Sequence, residues 1–283
     1  MKLAIITDNT AVLPQEVAER EDVFILDIPI TIDGATYVEG KNLTISEFYA
    51  KMATSKTLPK TSQPSLADLE EILSEIESAG FTHVIGLFLS SGISGFWQNI
   101  QFLIDEYKNM TIAFPDSHIT SYPLGRMVIN CLRLADEGVV FETILKKLAY
   151  QIDKTQAYIV VDDLNHFVKG GRLSNGAAML GNLLSIKPLL YFDDEGKIIV
   201  YEKVRTEKKI MKRMLAILEE TTAASDHDYD IFIIEGHALD KAKRLRVMLA
   251  DKGYNQVDIT SFGSVIATHL GEGAICFGVT PRI

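Results

Sequence analysis

The sequence predicts an α/β protein of two domains, a doubly wound parallel sheet followed by a domain with a mixed sheet. Three observations lead to this fold class. Apolar runs alternate with helical periodicities through the first half, as in repeated βαβ units. In the second half, residues 187–192 and 197–201 predict a hairpin around the polar turn 193–196. The length of 283 residues exceeds the ~100–200 residues of one compact domain.

The elements of the first domain follow in chain order. Residues 3–6 form a short apolar run that ends in a polar loop, which is typical of a buried strand. Pro14 predicts the first turn of a short helix, and residues 23–32 predict one further strand. The other elements predicted here are helices 46–52 and 65–76 with Ser65 as N-cap, strand 83–89, helix 94–107, strand 110–114, and helices 121–135 and 141–152.

The second domain is predicted to begin with a strand at 157–161. A glycine-rich loop at 169–172 and a small helix then lead into the hairpin. The elements predicted after the hairpin are helix 207–221, strand 230–234, helix 239–252, strand 256–260 and strand 274–279. We place the domain boundary near Lys154, giving domains 1–154 and 155–283, and expect tight packing because no Pro- or Ser-rich linker separates them.

Charge and cysteine usage exclude several classes of protein. The net charge of −10 argues against a nucleic-acid partner, which a basic face would bind. The densest cationic stretch, 203–212, is interpreted as a solvated helix face, with an acidic partner or a membrane surface as alternatives. Cys131 and Cys276 lie in apolar surroundings and are expected to be buried, reduced thiols. The N-terminal apolar run is shorter than a signal peptide of about 7–15 residues, so we expect a cytoplasmic protein.

Three loops are expected to carry the chemistry, because ligands of open parallel sheets bind outside the carboxyl ends of the strands. They are residues 7–10, the segment after Leu89, and residues 114–117. The segment 90–95 combines hydroxyls with glycines at a strand-to-helix junction, a pattern that favours an anion. A helix cap with a tight turn is the plainer alternative for this segment.

Two further segments are candidates for the site. Residues 60–65 form a second hydroxyl cluster before a helix. A helix N-cap and a chain break at the proline would also explain this cluster. His269 is followed by two glycines at a predicted strand entrance, where it would face a cleft. A lone histidine is more often structural, and the sequence shows no histidine spacing for a metal site, so no metal is expected.

Enzyme motifs are absent or incomplete. The sequence contains neither G-x-x-x-x-G-K-[ST] nor G-x-G-x-x-G after a strand, so no nucleotide cofactor is predicted. A nucleophile elbow would read G-x-S-x-G, but Phe96 stands where the last glycine belongs. One alternative is therefore a serine hydrolase of acyl esters, with Ser94 as nucleophile, His269 as base and Asp8 or Asp116 as the orienting acid. A second alternative is a doubly wound enzyme that binds a nucleotide or a sugar phosphate.

Eight motifs in a fixed order together resemble the DegV family, a bacterial fatty-acid-binding family. They are ITDNTA at 6–11, TSQPS at 61–65, SSGISG at 90–95, DL at 163–164, KGGRLS at 169–174, IKPLL at 186–190, KVRT at 203–206 and THLGEG at 268–273. The resemblance runs the whole length of the chain. It implies a three-layer α/β/α first domain, a second two-layer α/β domain with a mixed sheet, and one long-chain fatty acid in the cleft between them.

The resemblance also implies a carrier rather than an enzyme. In the family, a separate fatty acid kinase phosphorylates the carboxylate of the bound acid, and the carrier takes the acyl phosphate toward phospholipid synthesis. The expected partners are thus the fatty acid, as ligand rather than cofactor, and the catalytic protein of the kinase. A transient contact with a membrane surface or an acyltransferase is a further expectation.

Site residues are carried over from the family by position. The carboxylate contacts are expected from Thr61 or Ser62, from Ser94 with the backbone N–H of Gly95, and from His269. Arg172 is expected near the mouth, as a partner or head-group contact or in a structural role, and Arg205 is a further candidate for a partner or head-group contact. Candidates for the apolar lining are Ile93, Phe96, Leu183, Ile186 and Phe277, with the ordinary hydrophobic core as an equal alternative for each.

Overall fold

The computed structural model describes residues 1–174, 176, 187–204, 206–223 and 228–283. The strands are β1 Leu3–Asp8, β2 Val23–Leu26, β3 Ile30–Ile32, β4 Ala35–Tyr37, β5 Lys60–Thr61, β6 His83–Leu87, β7 Thr111–Ala113, β8 Gln156–Val160, β9 Lys187–Phe192, β10 Ile198–Val204, β11 Tyr229–Glu235, β12 Val257–Ser261 and β13 Ile275–Pro281. The helices within these ranges are α1 Gln15–Ala18, α2 Ile45–Thr54, α3 Leu66–Ser78, α4 Phe96–Ile100, α5 Ser121–Asp136, α6 Phe141–Lys154, α7 Leu164–Lys169, α8 Glu207–Ala223, α9 Leu239–Ala250 and α10 Ser264–Leu270, with a 3₁₀ turn at Gln101–Asp105.

A four-stranded parallel sheet forms the centre of the first half, in the order β2-β1-β6-β7. Every residue of β1 is buried, because helices cover both faces of the sheet. Ala4 and Ile6 face the layer of α3 and α4, whereas Leu3 and Ile5 face the layer of α5 and α6. The strand order reverses between β1 and β6, which creates a crevice at their carboxyl ends.

A six-stranded mixed sheet forms the second half, in the order β10-β9-β8-β13-β11-β12. Its pairs are antiparallel except β11 with β12. Helices α8 and α9 pack on one face, and α5 and α6 approach the other. The predicted fold class, a parallel-sheet α/β unit followed by a mixed-sheet α/β unit, is confirmed.

Helix α5 links the two sheets through packing and polar contacts. The guanidinium of Arg126 on α5 lies 2.8 Å from the carboxylate of Asp230 on β11. The hydroxyl of Tyr122 donates a hydrogen bond to Asp258 on β12. In addition, one continuous apolar cluster includes residues from both sheets.

A third, three-stranded antiparallel sheet, in the order β4-β3-β5, was not predicted. The single strand expected over 23–32 is wrong, because the chain leaves the parallel sheet after Leu26 and enters this small sheet at Ile30. Pro29 lies between the two strands and lacks the N–H that a ladder needs. Its carbonyl instead accepts from the backbone N–H of Ser62, 3.0 Å away, which attaches the segment after β5 to this sheet.

Other boundaries differ in smaller ways. The helix expected over 94–107 begins at Phe96 and gives way to the 3₁₀ turn. His269 lies in the last turn of α10 and not in a strand entrance, since Gly271 ends that helix with a φ of 77°. The small helix predicted after Arg172 falls outside the described residues. Among the described helices, none is long and apolar enough to cross a membrane.

Candidate ligand-binding site

A cavity of about 570 Å³ lies between the carboxyl edge of the parallel sheet and the six-stranded sheet. This volume is within the range of roughly 300–1,000 Å³ typical of small-molecule sites. One end of the cavity is polar, formed by loops after β5 and β6 and by the end of α10. The rest of the lining is mainly apolar and includes strands of the second sheet, and the polar residues Thr120, Ser121 and Ser174 also line it.

The polar end contains every residue expected to contact a carboxylate. Thr61 and Ser62 come from the small sheet, Ser94 and Gly95 from the loop after β6, and His269 from α10. Among the described residues, neither the hydroxyl of Ser62 nor the N–H of Gly95 has a hydrogen-bond partner in the protein. The site therefore presents uncommitted donors toward the cavity, as an anionic head group requires.

His269 is held by hydrogen bonds at both ring nitrogens. Its Nε2 lies 2.8 Å from the hydroxyl oxygen of Thr61, and its Nδ1 lies 3.2 Å from the carbonyl oxygen of Gly170. Burial, reinforced by the charge of Arg172, lowers the pKa of His269 to about 4. The imidazole is therefore neutral at neutral pH in the ligand-free protein.

A buried aspartate positions the serine loop, residues 90–95. The carboxylate of Asp8, at the end of β1, accepts from the backbone N–H of Leu89 at 2.7 Å and from Thr10. Burial outweighs these hydrogen bonds and raises the pKa of Asp8. Because Leu89 directly precedes the serine loop, Asp8 fixes the direction in which that loop leaves the sheet.

The turn between β9 and β10 closes over the same loop. The hydroxyl of Ser90 donates to the carbonyl oxygen of Gly196 at 2.8 Å, and both atoms are buried. A Cβ at Gly92 would lie 2.2 Å from that carbonyl oxygen, so only glycine fits there. The two halves of the chain thus meet directly beside the polar end of the cavity.

The apolar wall is built from neighbouring strands of the second sheet. Ile159, Cys276 and Ile234 are paired across β8, β13 and β11, and all three line the cavity. Alternate residues of β13, such as Phe277, face the opposite core against α8 and α9. This alternation is the period of two expected for a strand between two apolar layers.

The predicted apolar lining is correct only in part. Ile93 lines the cavity. Phe96 instead packs edge-on against Phe88, with ring centroids 5.1 Å apart, in the core of the first sheet. Phe277 faces away from the cavity, and Leu183 and Ile186 lie outside the described residues.

The two expected arginines have different outcomes. Arg172 lines the cavity, half-buried, with its guanidinium donating to the carbonyls of Ile93 at 3.3 Å and Gly170 at 3.1 Å. Arg172 forms no ion pair with a carboxylate of the described residues, and burial lowers its pKa. Arg205 lies outside the described residues.

Several cavity residues were missed by the sequence analysis. The apolar residues Ile28, Phe167, Phe262 and Ile266 line the wall. No element was predicted between residues 260 and 274, so the helix that carries Ile266 and His269 was missed. Gly271 directly after Leu270 was the available signal, since glycine commonly ends a helix.

The arrangement does not favour the serine hydrolase alternative. Both ring nitrogens of His269 have partners other than Ser94, namely Thr61 and Gly170. Asp8 binds Leu89 and Thr10, and Asp116 accepts from the N–H of Ser91 at 3.1 Å. Neither aspartate orients His269, so the nucleophile–base–acid chain of such enzymes is not assembled.

Comparisons with known proteins identify the family and agree with the fold. A family model described as "Uncharacterised protein, DegV family" matches residues 2–282. The chain belongs to the DegV family. A DegV domain-containing protein of Streptococcus pyogenes serotype M1 is 61% identical, with 100% of both chains covered.

Solved DegV structures share the whole fold. A fatty acid binding DegV family protein from Streptococcus agalactiae is 59% identical with a TM-score of 0.97, and 100% of both chains is covered. DegV from Bacillus subtilis, described as a fatty acid binding protein, is 32% identical with a TM-score of 0.87 over 100% of both chains. These relatives bind fatty acids and have the same two-sheet architecture.

Proposed function

We propose that this protein binds one long-chain fatty acid in the cavity between the two sheets, with its carboxylate at the polar end. The observation that carries the proposal is that one cavity combines a largely apolar wall with a cluster of hydroxyl, backbone N–H and imidazole groups. The carboxylate ligands would be Thr61 or Ser62, Ser94 with the Gly95 N–H, and His269. The fatty-acid-binding relatives support the binding function.

The energetics favour binding through the tail. Burying about fourteen methylenes contributes on the order of 11 kcal/mol at about 0.8 kcal/mol each, against an association cost of at least about 4 kcal/mol. The head group then needs only to be oriented. Neutral hydroxyls and a histidine can orient it while leaving one carboxylate oxygen accessible, whereas a bidentate arginine would engage both oxygens.

We further propose that the protein is a substrate-presenting carrier rather than an enzyme. The carboxylate of the bound fatty acid would be presented to a fatty acid kinase. The protein would then carry the acid or its acyl phosphate through the cytoplasm toward phospholipid synthesis, by way of a membrane surface or an acyltransferase. The lack of nucleotide-binding motifs in the sequence is consistent with a phosphoryl donor on a partner. Arg172 and Arg205 are proposed as contacts to that partner or to the head group.

The same proposal divides the chain into domains 1–154 and 155–283. Among the described residues, all strands of the six-stranded sheet follow Lys154, and the strands of the other two sheets precede it. The ligand would lie at the junction of these domains, so that separation of the two sheets would open the cavity.

Mass spectrometry tests the binding function. The purified protein is measured natively and again after organic extraction. We expect one adduct of a long-chain acid, bound more weakly in Ser94→Ala and His269→Ala but unchanged in Ser74→Ala, a matched serine exposed on α3. A ligand-free mass together with no thermal shift on adding palmitate or oleate would refute the proposal.

A phosphorylation assay tests the carrier role separately. The loaded protein is incubated with ATP and a fatty acid kinase catalytic protein, and acyl phosphate is trapped with hydroxylamine. We expect hydroxamate formation that depends on both proteins and falls in the Ser94→Ala variant. Stoichiometric binding without any hydroxamate would retain the fatty-acid-binding function and remove the carrier role.

A further inference from the structure

The hydrogen-bond directions at His269 are determined by its neighbours. The carbonyl oxygen of Gly170 can only accept, so Nδ1 of His269, 3.2 Å away, carries a hydrogen. In a neutral imidazole Nε2 then has only a lone pair. The hydroxyl of Thr61, 2.8 Å from Nε2, must therefore donate to the ring.

This direction leaves Thr61 unable to serve an ionised carboxylate. A hydroxyl has one hydrogen, and that of Thr61 is engaged by His269, so its oxygen offers only lone pairs to the cavity. A carboxylate placed against Thr61 would require two hydrogen bonds, one between His269 Nε2 and the Thr61 hydroxyl and one between that hydroxyl and the carboxylate. Only the single hydrogen of the Thr61 hydroxyl is available for these two hydrogen bonds.

One added proton completes the chain. With Nε2 protonated, the imidazolium donates to the hydroxyl oxygen of Thr61, and the Thr61 hydroxyl turns to donate to the carboxylate. We propose that the site takes up one proton with each carboxylate that it binds, and that His269 Nε2 holds this proton. The inference rests on the proposed fatty-acid site and adds the protonation state of the complex.

The surrounding charges make this proton dependent on the ligand. Arg172 and His166, which lie near the ring, both disfavour the imidazolium, and burial does so more strongly. Of the other elements packed against α10, β3 carries no titratable residue, β5 carries Lys60 and α2 carries Tyr49 on its buried face. The bound carboxylate supplies the negative charge that compensates Arg172 and stabilises protonated His269.

The consequence is a pH-dependent affinity. The ligand-free ring is neutral above about pH 4, so the proton comes from solvent when the acid binds. While the complex is protonated and the free protein is not, each pH unit of increase weakens binding by about tenfold. The dependence ends where pH passes the pKa of His269 in the complex.

Isothermal titration calorimetry tests the inference. The intact protein is titrated with myristate at pH 7 in buffers of different ionisation enthalpy, and the slope of observed enthalpy against buffer enthalpy counts the protons. We expect uptake of about one proton per myristate in the unmodified protein and in His166→Gln, and uptake near zero in His269→Gln. The carboxyl ¹³C shift of bound [1-¹³C]myristate should be that of an ionised acid.

The outcomes separate this inference from the binding function. Stoichiometric binding without proton uptake would overturn the proton coupling and leave fatty acid binding intact. Uptake that persists in His269→Gln, or a carboxyl shift typical of a protonated acid, would overturn the assignment to His269. Failure of the unmodified protein to bind any long-chain acid would instead refute the proposed function itself.

Discussion

Filling the apolar wall at Cys276 should shorten the acids that the protein accepts. Cys276 is 3% exposed and lies between Ile159 and Ile234 on adjacent strands. In Cys276→Phe the ring would project from this central position into the cavity. Neighbouring strands are spaced by about 4.8 Å, which corresponds to about four methylenes of an extended acyl chain.

The expected loss follows from that length. If four methylenes of the acyl chain no longer contact the wall, at about 0.8 kcal/mol each, binding weakens by about 3 kcal/mol, or roughly 150-fold in Kd. The loss should apply to palmitate and stearate and should be small for laurate, whose tail ends earlier. Kd values for acids of increasing length, measured by calorimetry, would show affinity rising with length in the unmodified protein and reaching a plateau in the variant.

A matched variant separates this effect from general destabilisation. Ile275→Phe adds a ring to the adjacent residue of β13, which faces the opposite core. Ile275→Phe should cost about 1–3 kcal/mol of folding stability through overpacking. Cys276→Phe should cost less because its ring enters the cavity, and only Cys276→Phe should change the chain-length dependence. If folded Cys276→Phe binds stearate as tightly as the unmodified protein does, the tail does not lie along this wall.

Three further predictions concern the loops around the polar end. Gly92→Ala would press a Cβ against the backbone of Gly196 and should cost about 1–3 kcal/mol, measured by urea unfolding; an unchanged midpoint would contradict the close contact. Asp8→Asn cannot accept from both of its backbone donors, so it should destabilise by about 1–3 kcal/mol and weaken fatty acid binding through Leu89. In the ligand-free protein, the free energy of unfolding should fall by up to roughly 3 kcal/mol between pH 6.5 and about 4, because the unfolded chain binds a proton that buried His269 does not. His269→Gln should flatten that part of the stability curve, and an unchanged curve would show that another group controls it.

Much of the secondary structure could be predicted from local pattern. β9 was predicted with its observed bounds, and β1, β6, β11 and β13 were located to within a few residues, because each is an apolar run bounded by polar or glycine residues. The N-cap of α3 was also predicted, since the Ser65 hydroxyl accepts from the N–H of Asp68 at 3.2 Å. These features depend on residues close together in sequence.

Predictions failed where packing outweighed local preference. The apolar run around Pro29 was treated as one strand, although it divides between two sheets. Phe96 and Phe277 were candidates for either the cavity wall or the ordinary core, and the helix face and the pleat direct them into the core. Apolar character predicts burial, and it does not indicate which of several apolar layers a side chain enters.

The sequence by itself determined the family, the order of the main strands and helices, and the residue types of the polar site. It could not show that Thr61 and His269, 208 positions apart, lie 2.8 Å from each other. That contact exists because the small sheet and α10 pack together over the junction of the two large sheets. Distances between remote segments, and therefore the burial of His269 and the direction of its hydrogen bonds, depend on how the layers pack, which only the tertiary structure decides.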